Sequence, residues 1–158
     1  MLYVSNVEVV QQRSTRRDVH LPVADGPLTV GFHGDVARHA GIPEGKFEPA
    51  PATYDVFVGS VAACLTGTFG GALEARGIRT GRGNLRATAR GELEKTDDGV
   101  LVIRRIHIHY TLHGPDELRD AIDRAHRHHA RVCGMARTVA DAIDVTTTYE
   151  LLPEEPAS

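Results

Sequence analysis

Residues 56–73 read VFVGSVAACLTGTFGGAL, a stretch without a single charge, with Asp55 before it and Glu74 after it. A run of this length outgrows a strand and predicts a helix buried on every side. It also reaches the lower limit for a membrane span. Gly59, Ser60, Thr66, Gly67, Thr68, Gly70 and Gly71 dilute its hydrophobicity, large apolar side chains are few, and no basic cluster flanks either end. On those grounds the span is rejected and the helix is read as core. Gly67 and Gly71 stand one turn apart and predict the close approach of a second helix or a sheet, which offsets roughly 1 kcal/mol of lost helix propensity per glycine. Cys64 falls near the middle, so a thiol is set into the interior on a rigid element.

A chain of 158 residues fits one domain, expected over 1–152 with a flexible tail at 153–158, and is long enough to bury a core. Aromatic residues make up 5% with no Trp, which argues against a stacking platform for single strands. Eighteen basic residues against 21 acidic ones give a net charge of −3, a field that does not favour phosphate backbones, so no nucleic-acid partner is expected. The opening MLYVSNVEVV lacks a basic segment followed by an apolar one, so a cytoplasmic protein is expected. In that compartment two cysteines are seldom a structural staple; they are more often reactive, metal-binding or simply buried.

In chain order, imperfect alternation over residues 2–12, then Val19, Leu21 and Val23, then Leu28, Val30 and Phe32 predicts an antiparallel meander, with Arg13, Arg16 and Arg17 as a basic knot. Residues 34–52, rich in Gly and Pro, read as a long loop. The central helix begins near Pro51 to Asp55 and closes at the Arg76–Gly77 signature. Leu85, Ala87, Ala89, Gly91 and Leu93 alternate with polar residues and turn through Asp97, Asp98 and Gly99. The returning strand puts Val102, Ile106, Ile108, Tyr110 and Leu112 on one face and Arg105, His107 and His109 on the other. Pro115, Asp116 and Glu117 open an amphipathic helix with Leu118, Ala121, Ile122, Ala125, His129 and Val132 on one face, running to Cys133. A short helical piece through Val139 and Ala142 and a last strand at 143–151 complete an α+β chain with antiparallel strands in two blocks.

The residues leave three readings of Cys64 and Cys133 open. Both fit small buried hydrophobes, since free cysteine is among the most buried residue types. His126, His128 and His129 before Cys133 suggest a Cys/His metal site, although Cys64 lacks the paired neighbour such sites normally show. The third reading is thiol redox chemistry. It requires a thiolate, and Cys64 lies beyond the first helical turn where the dipole acts, so a cation must come from elsewhere. The arginine knot is the natural source.

The segment from Ala50 through Cys64 (APATYDVFVGSVAAC), followed by Ala72 to Ile78 (ALEARGI), resembles the first cysteine helix of the OsmC/Ohr family, the osmotically inducible and organic hydroperoxide resistance proteins. His128 to Cys133 (HHARVC), continuing to Asp144 and Val145, is similar to that family's second cysteine motif and final strand. The order of elements agrees over nearly the whole chain. The resemblance implies an OsmC-like fold in which antiparallel sheets wrap long central helices in an intertwined homodimer. It further implies a cysteine-based peroxidase, with Cys64 attacking an organic hydroperoxide and Cys133 resolving the sulfenic acid. An external dithiol of lipoyl-protein or thioredoxin type would restore both thiols, with no metal or organic cofactor. The family uses an arginine from its early strands, here Arg17 first and Arg16 next. It also uses a glutamate upstream of the first cysteine. Tyr54 and Asp55 occupy that neighbourhood, Asp55 being the shorter substitute, and Gly134, Met135 and Ala136 follow Cys133 where the better-known branches carry a proline. The non-enzymatic alternative is a protein of the same fold that binds a hydrophobic ligand or partner.

Overall fold

The uncharged run forms a single helix, α2, over Thr53–Glu74. A computed structural model describes residues 3–153. Contacts divide the chain into two compact units, Met1–Val56 and Phe57–Ser158. The expected tail at 153–158 lies, apart from Pro153, outside the described residues, as does the expected strand start at Leu2.

In the first unit β1 (Glu8–Arg13), β2 (Arg16–His20) and β3 (Leu28–Val30) make the expected antiparallel meander. Arg16 and Arg17 belong to β2 itself, which starts before the alternation of Val19, Leu21 and Val23 implies and ends at His20, so that Leu21 and Val23 fall outside it. The expected long loop contains a short helix, α1 (Gly34–His39). Asp35 in its first turn and Arg38 and His39 in its last complement the helix dipole. Two turns are too few for periodicity to announce a helix. The loop then returns alongside β3, where the Gly31 N–H donates to the Pro51 carbonyl at 2.8 Å.

In the second unit β4 (Leu85–Lys95) and β5 (Leu101–His113) form the expected hairpin. A 3-10 turn, Asp116–Leu118, leads into α3 (Arg119–Val132), and α4 (Gly134–Val139) leads to β6 (Asp144–Leu152). β6 lies beside β5 and runs parallel to it, so the second sheet is mixed and not antiparallel throughout. The crossover through α3 and α4 makes this pairing possible, since parallel neighbours need a long connection. A bulge at Arg104 shifts the hairpin register, and Ile103, not Val102, packs against the core. Beyond it Ile106, Ile108, Tyr110 and Leu112 are fully buried as expected. On the outer face Arg105 bonds Glu92 at 2.6 Å and Glu94 at 2.9 Å.

The helix α2 lies along this sheet through Val61, Leu65, Phe69 and Leu73, all 0% exposed. Its opposite side carries Phe57, Ala63, Gly67 and Gly71, which are exposed. The expectation of a helix buried all round is therefore corrected: it is long and apolar enough to cross a membrane by length and composition, yet only 33% of its apolar window is buried. Close packing occurs at a different glycine from those expected. A Cβ at Gly67 or Gly71 would meet nothing within 4 Å, whereas one at Gly91 in β4 would stand 2.6 Å from Val58 Cγ2. Val58 is β-branched and stiff in a helix, so it cannot swing aside. Gly91→Ala is expected to cost about 1–3 kcal/mol of stability through overpacking. Denaturant titration should show Gly91→Ala costing far less in a Val58→Ala background than in the wild type; an equal cost in both backgrounds would contradict the contact.

Candidate functional site

Cys64 and Cys133 lie 69 residues apart in sequence and meet in the second unit, with the Cys133 thiol donating to the Cys64 sulfur at 3.3 Å. Helix α2 sets Cys64 next to the face it lays on the sheet, half-buried between Val61 and Leu65. Cys133 is held by a break in the chain. It alone is extended, at φ −75° and ψ 121°, between α3 and α4. Gly134 directly opens α4, and the carbonyl of Cys133 accepts from the Arg137 N–H at 3.1 Å as that helix begins.

Burial pushes the Cys133 thiol above its ordinary value, and the bond to Cys64 adds to the effect; the Ala136 N–H and the Thr68 hydroxyl oppose it. The pair therefore keeps a proton on Cys133, which is 0% exposed, while Cys64 is the more accessible sulfur. Thr68 also donates to the Cys64 carbonyl at 2.9 Å, one turn back along α2.

The other residues singled out by sequence lie in the first unit. Arg16 pairs with Glu48 at 2.8 Å, and the Arg17 guanidinium sits 5.8 Å from the centre of the Phe32 ring. Asp55 accepts the Ala52 N–H at 2.7 Å at the start of α2 and meets His33 Nε2 at 2.6 Å. This is the backward half of a capping box. Glu48 escapes sequence reading, because its partner lies 32 residues earlier and neither residue belongs to a motif.

The histidines before Cys133 face different ways. His128 is exposed, His126 is half-buried, and His129 is fully buried. Nε2 of His126 meets the Thr147 hydroxyl at 3.1 Å. His129 uses both ring nitrogens, toward the His126 carbonyl at 2.7 Å and the Tyr110 hydroxyl at 3.1 Å. Among the described residues no three His, Cys, Asp or Glu side chains are grouped to hold a metal ion.

A dithiol with one sulfur half-buried and one buried, set between a core helix and a helix junction over a mixed sheet, defines a two-cysteine α+β protein. The sequence matches the family described as OsmC-like protein over residues 44–148, and the chain belongs to that family. No curated protein matches it significantly by sequence. Among solved structures, a hypothetical protein from Aquifex aeolicus VF5 superposes at TM-score 0.70 with 15% identity, over 98% of this chain and 100% of that one. An OsmC-like protein from Mycoplasma pneumoniae gives 0.69 at 17% identity, over 96% and 99%. The organic hydroperoxide resistance protein OhrB of Bacillus subtilis gives 0.64 at 15% identity, over 95% and 100%. The α+β OsmC-like fold is thus shared across almost the whole length.

Burial lowers the pKa of His129 and of His126 below the ordinary 6.5. Between the folded and unfolded values the unfolded chain binds more protons, so this contribution to stability is complete above pH 6.5 and is lost as pH falls through the folded values. Thermal unfolding from about pH 7 down to about pH 5 should therefore show a falling Tm whose slope is shallower in His129→Asn. An equal slope in both proteins would contradict a buried neutral imidazole.

Proposed function

We propose that the protein is a thiol peroxidase that reduces organic hydroperoxides, alkyl or lipid, to alcohols. The observation that carries this reading is the 3.3 Å approach of the two sulfurs, one half-buried and one buried. The Cys64 thiolate attacks the distal oxygen of the hydroperoxide. The O–O bond breaks, Cys64 becomes a sulfenic acid, and the alkoxide takes a proton and leaves as the alcohol. Cys133 then attacks the sulfenic sulfur, an S–S bond replaces the S–O bond, and water departs. An external dithiol, of lipoyl-protein or thioredoxin type, reduces the disulfide by exchange. The apolar surroundings of Cys64 favour organic peroxides over hydrogen peroxide.

The thiolate needs a cation, which we assign to β2, as Arg17 or Arg16. The Arg16–Glu48 pair supports this part of the reading, since it joins an early-strand arginine to a glutamate upstream of the first cysteine. Asp55, already engaged by the Ala52 N–H and His33, serves as an anchor of the α2 N-terminus. A second copy of the chain completes the proposal. The exposed stripe of Phe57, Ala63, Gly67 and Gly71 on α2, and separately the exposed Val7 just before β1 with Val9 and Val10 in it, are apolar surfaces suited to a homodimer in the cytoplasm.

One equivalent of an organic hydroperoxide should remove both thiols of the reduced protein and lower the intact mass by two hydrogens. Cys133→Ser should stop at a trappable sulfenic acid, and Cys64→Ser should consume no peroxide. Unchanged thiols in the wild type would sink the reading. Separately, Arg16→Ala or Arg17→Ala should slow oxidation of Cys64 by roughly tenfold, equivalent to about 1.4 kcal/mol of transition-state stabilisation. Stopped-flow rates equal to wild type in both would move the cation's role elsewhere.

A further inference from the structure

Before any peroxide arrives, the Cys133 S–H is aimed at Cys64 and donates to its sulfur at 3.3 Å. Two thiols in contact share their protons unequally when their surroundings differ, because a charge settles where desolvation costs least. Cys133 is 0% exposed, and burial raises its pKa, so it keeps its proton. Cys64 is half-buried and can carry a charge in partial contact with water. Thr68, the hydroxyl beside the pair, has its own proton on the Cys64 carbonyl at 2.9 Å, which leaves the Cys64 sulfur to the Cys133 S–H.

Donor and acceptor are both fixed by the backbone. Cys133 is the extended residue between α3 and α4, and its carbonyl accepts from the Arg137 N–H at 3.1 Å. Cys64 is carried by α2, where Val61 and Leu65 on either side of it are fully buried. A hydrogen bond to a charged acceptor is stronger than one between neutral groups, and stronger again away from water. The imidazoles and phenols in and against the same core add no charge at neutral pH. Burial holds His126 and His129 of α3 below the ordinary 6.5, and holds Tyr110 of β5 and Tyr149 of β6 above the ordinary 10. Asp123 of α3 accepts the Tyr149 hydroxyl.

We propose that Cys133 has two roles in turn: its S–H first stabilises the Cys64 thiolate that attacks the peroxide, and its sulfur afterwards resolves the sulfenic acid. This rests on Cys64 being the attacking thiol. Both sulfurs belong to the second unit, so this neutral donor acts in addition to the arginine of β2. The two roles are also ordered. Oxidation takes the charge off the Cys64 sulfur, and with it one of the two influences that hold the proton on Cys133, the other being burial. The second thiol is thus easier to ionise once the first has reacted. No bond is made or broken beyond those of the peroxidase cycle.

Two variants of the full chain separate the donor from the packing. Neither can resolve, but Cys133→Ser keeps a hydrogen-bond donor and Cys133→Ala keeps none. The readouts are alkylation of Cys64 by iodoacetamide, which needs no peroxidase activity, and loss of one equivalent of an organic hydroperoxide. A hydrogen bond to a charged group is worth roughly tenfold in thiolate population, and the greater nucleophilicity of a more basic thiolate returns about a factor of three. Cys133→Ala should therefore slow both reactions by about threefold or more at neutral pH and move the alkylation profile to higher pH. Cys133→Ser should react at Cys64 within about twofold of the wild-type rate, because its hydroxyl still donates. Wild-type rates in Cys133→Ala, or equal slowing in both variants, would overturn the proposal. A check on the wild type needs no variant to fold. The S–H stretch of Cys133 in the Raman spectrum should lie below that of a free thiol and move back up once Cys64 is alkylated; a free-thiol band before and after alkylation would contradict the bond. Failure of all three proteins to consume peroxide, with the alkylation differences intact, would count against the peroxidase reading and leave the thiolate's hydrogen bond standing.

Discussion

The seating of α2 on the mixed sheet is the constraint from which the rest of the second unit follows. Val61, Leu65, Phe69 and Leu73 are fully buried against β4, β5 and β6, and Gly91 clears the space that Val58 fills. Each of these large side chains contributes about 1.5–3 kcal/mol when taken out of water, and the close fit also fixes the helix rotation. Rotation matters because Cys64 lies at the margin of the buried face. A turn of the helix in either direction would bury the thiol in the sheet or carry it away from Cys133.

The second sulfur is placed by a different device. α3 packs on the same sheet through Ile122, Ala125 and His129, then stops at a single extended residue, and that residue is Cys133. The thiol is thus held at the end of a helix whose last buried contact is polar. His129 costs stability at low pH, since a ring that stays neutral when folded takes up a proton when unfolded. A leucine would pack there with less penalty.

Much of this was legible in the residues themselves. The uncharged run gives α2 almost to its ends, strict alternation gives the hairpin, and the position of His129 on the apolar face of its helix marks it as core-facing. Other features were not. Period-two alternation reports which side of a strand is buried but not its direction, so the parallel pairing of β6 was invisible. The bulge at Arg104 exchanges Val102 for Ile103 because one inserted residue flips the face of everything before it. The open stripe on α2 leaves no trace in the sequence because composition cannot tell a helix covered on every side from one covered on a single side. The meeting of Cys64 and Cys133 was legible only through family resemblance, and the Arg16–Glu48 pair, a contact across a loop, left no local trace.

The central claim is that two thiols distant in sequence are held as neighbours by the native packing. Sulfurs at 3.3 Å need to close only to about 2.05 Å to bond. Equilibrating the native protein in glutathione buffers of graded potential and quantifying each species by mass tests this directly. The account predicts an internal Cys64–Cys133 disulfide at every oxidising ratio, with the glutathione mixed disulfide a minor species until the chain is unfolded. A mixed disulfide at Cys64 that persists in the native protein, with Cys133 left reduced, would contradict it.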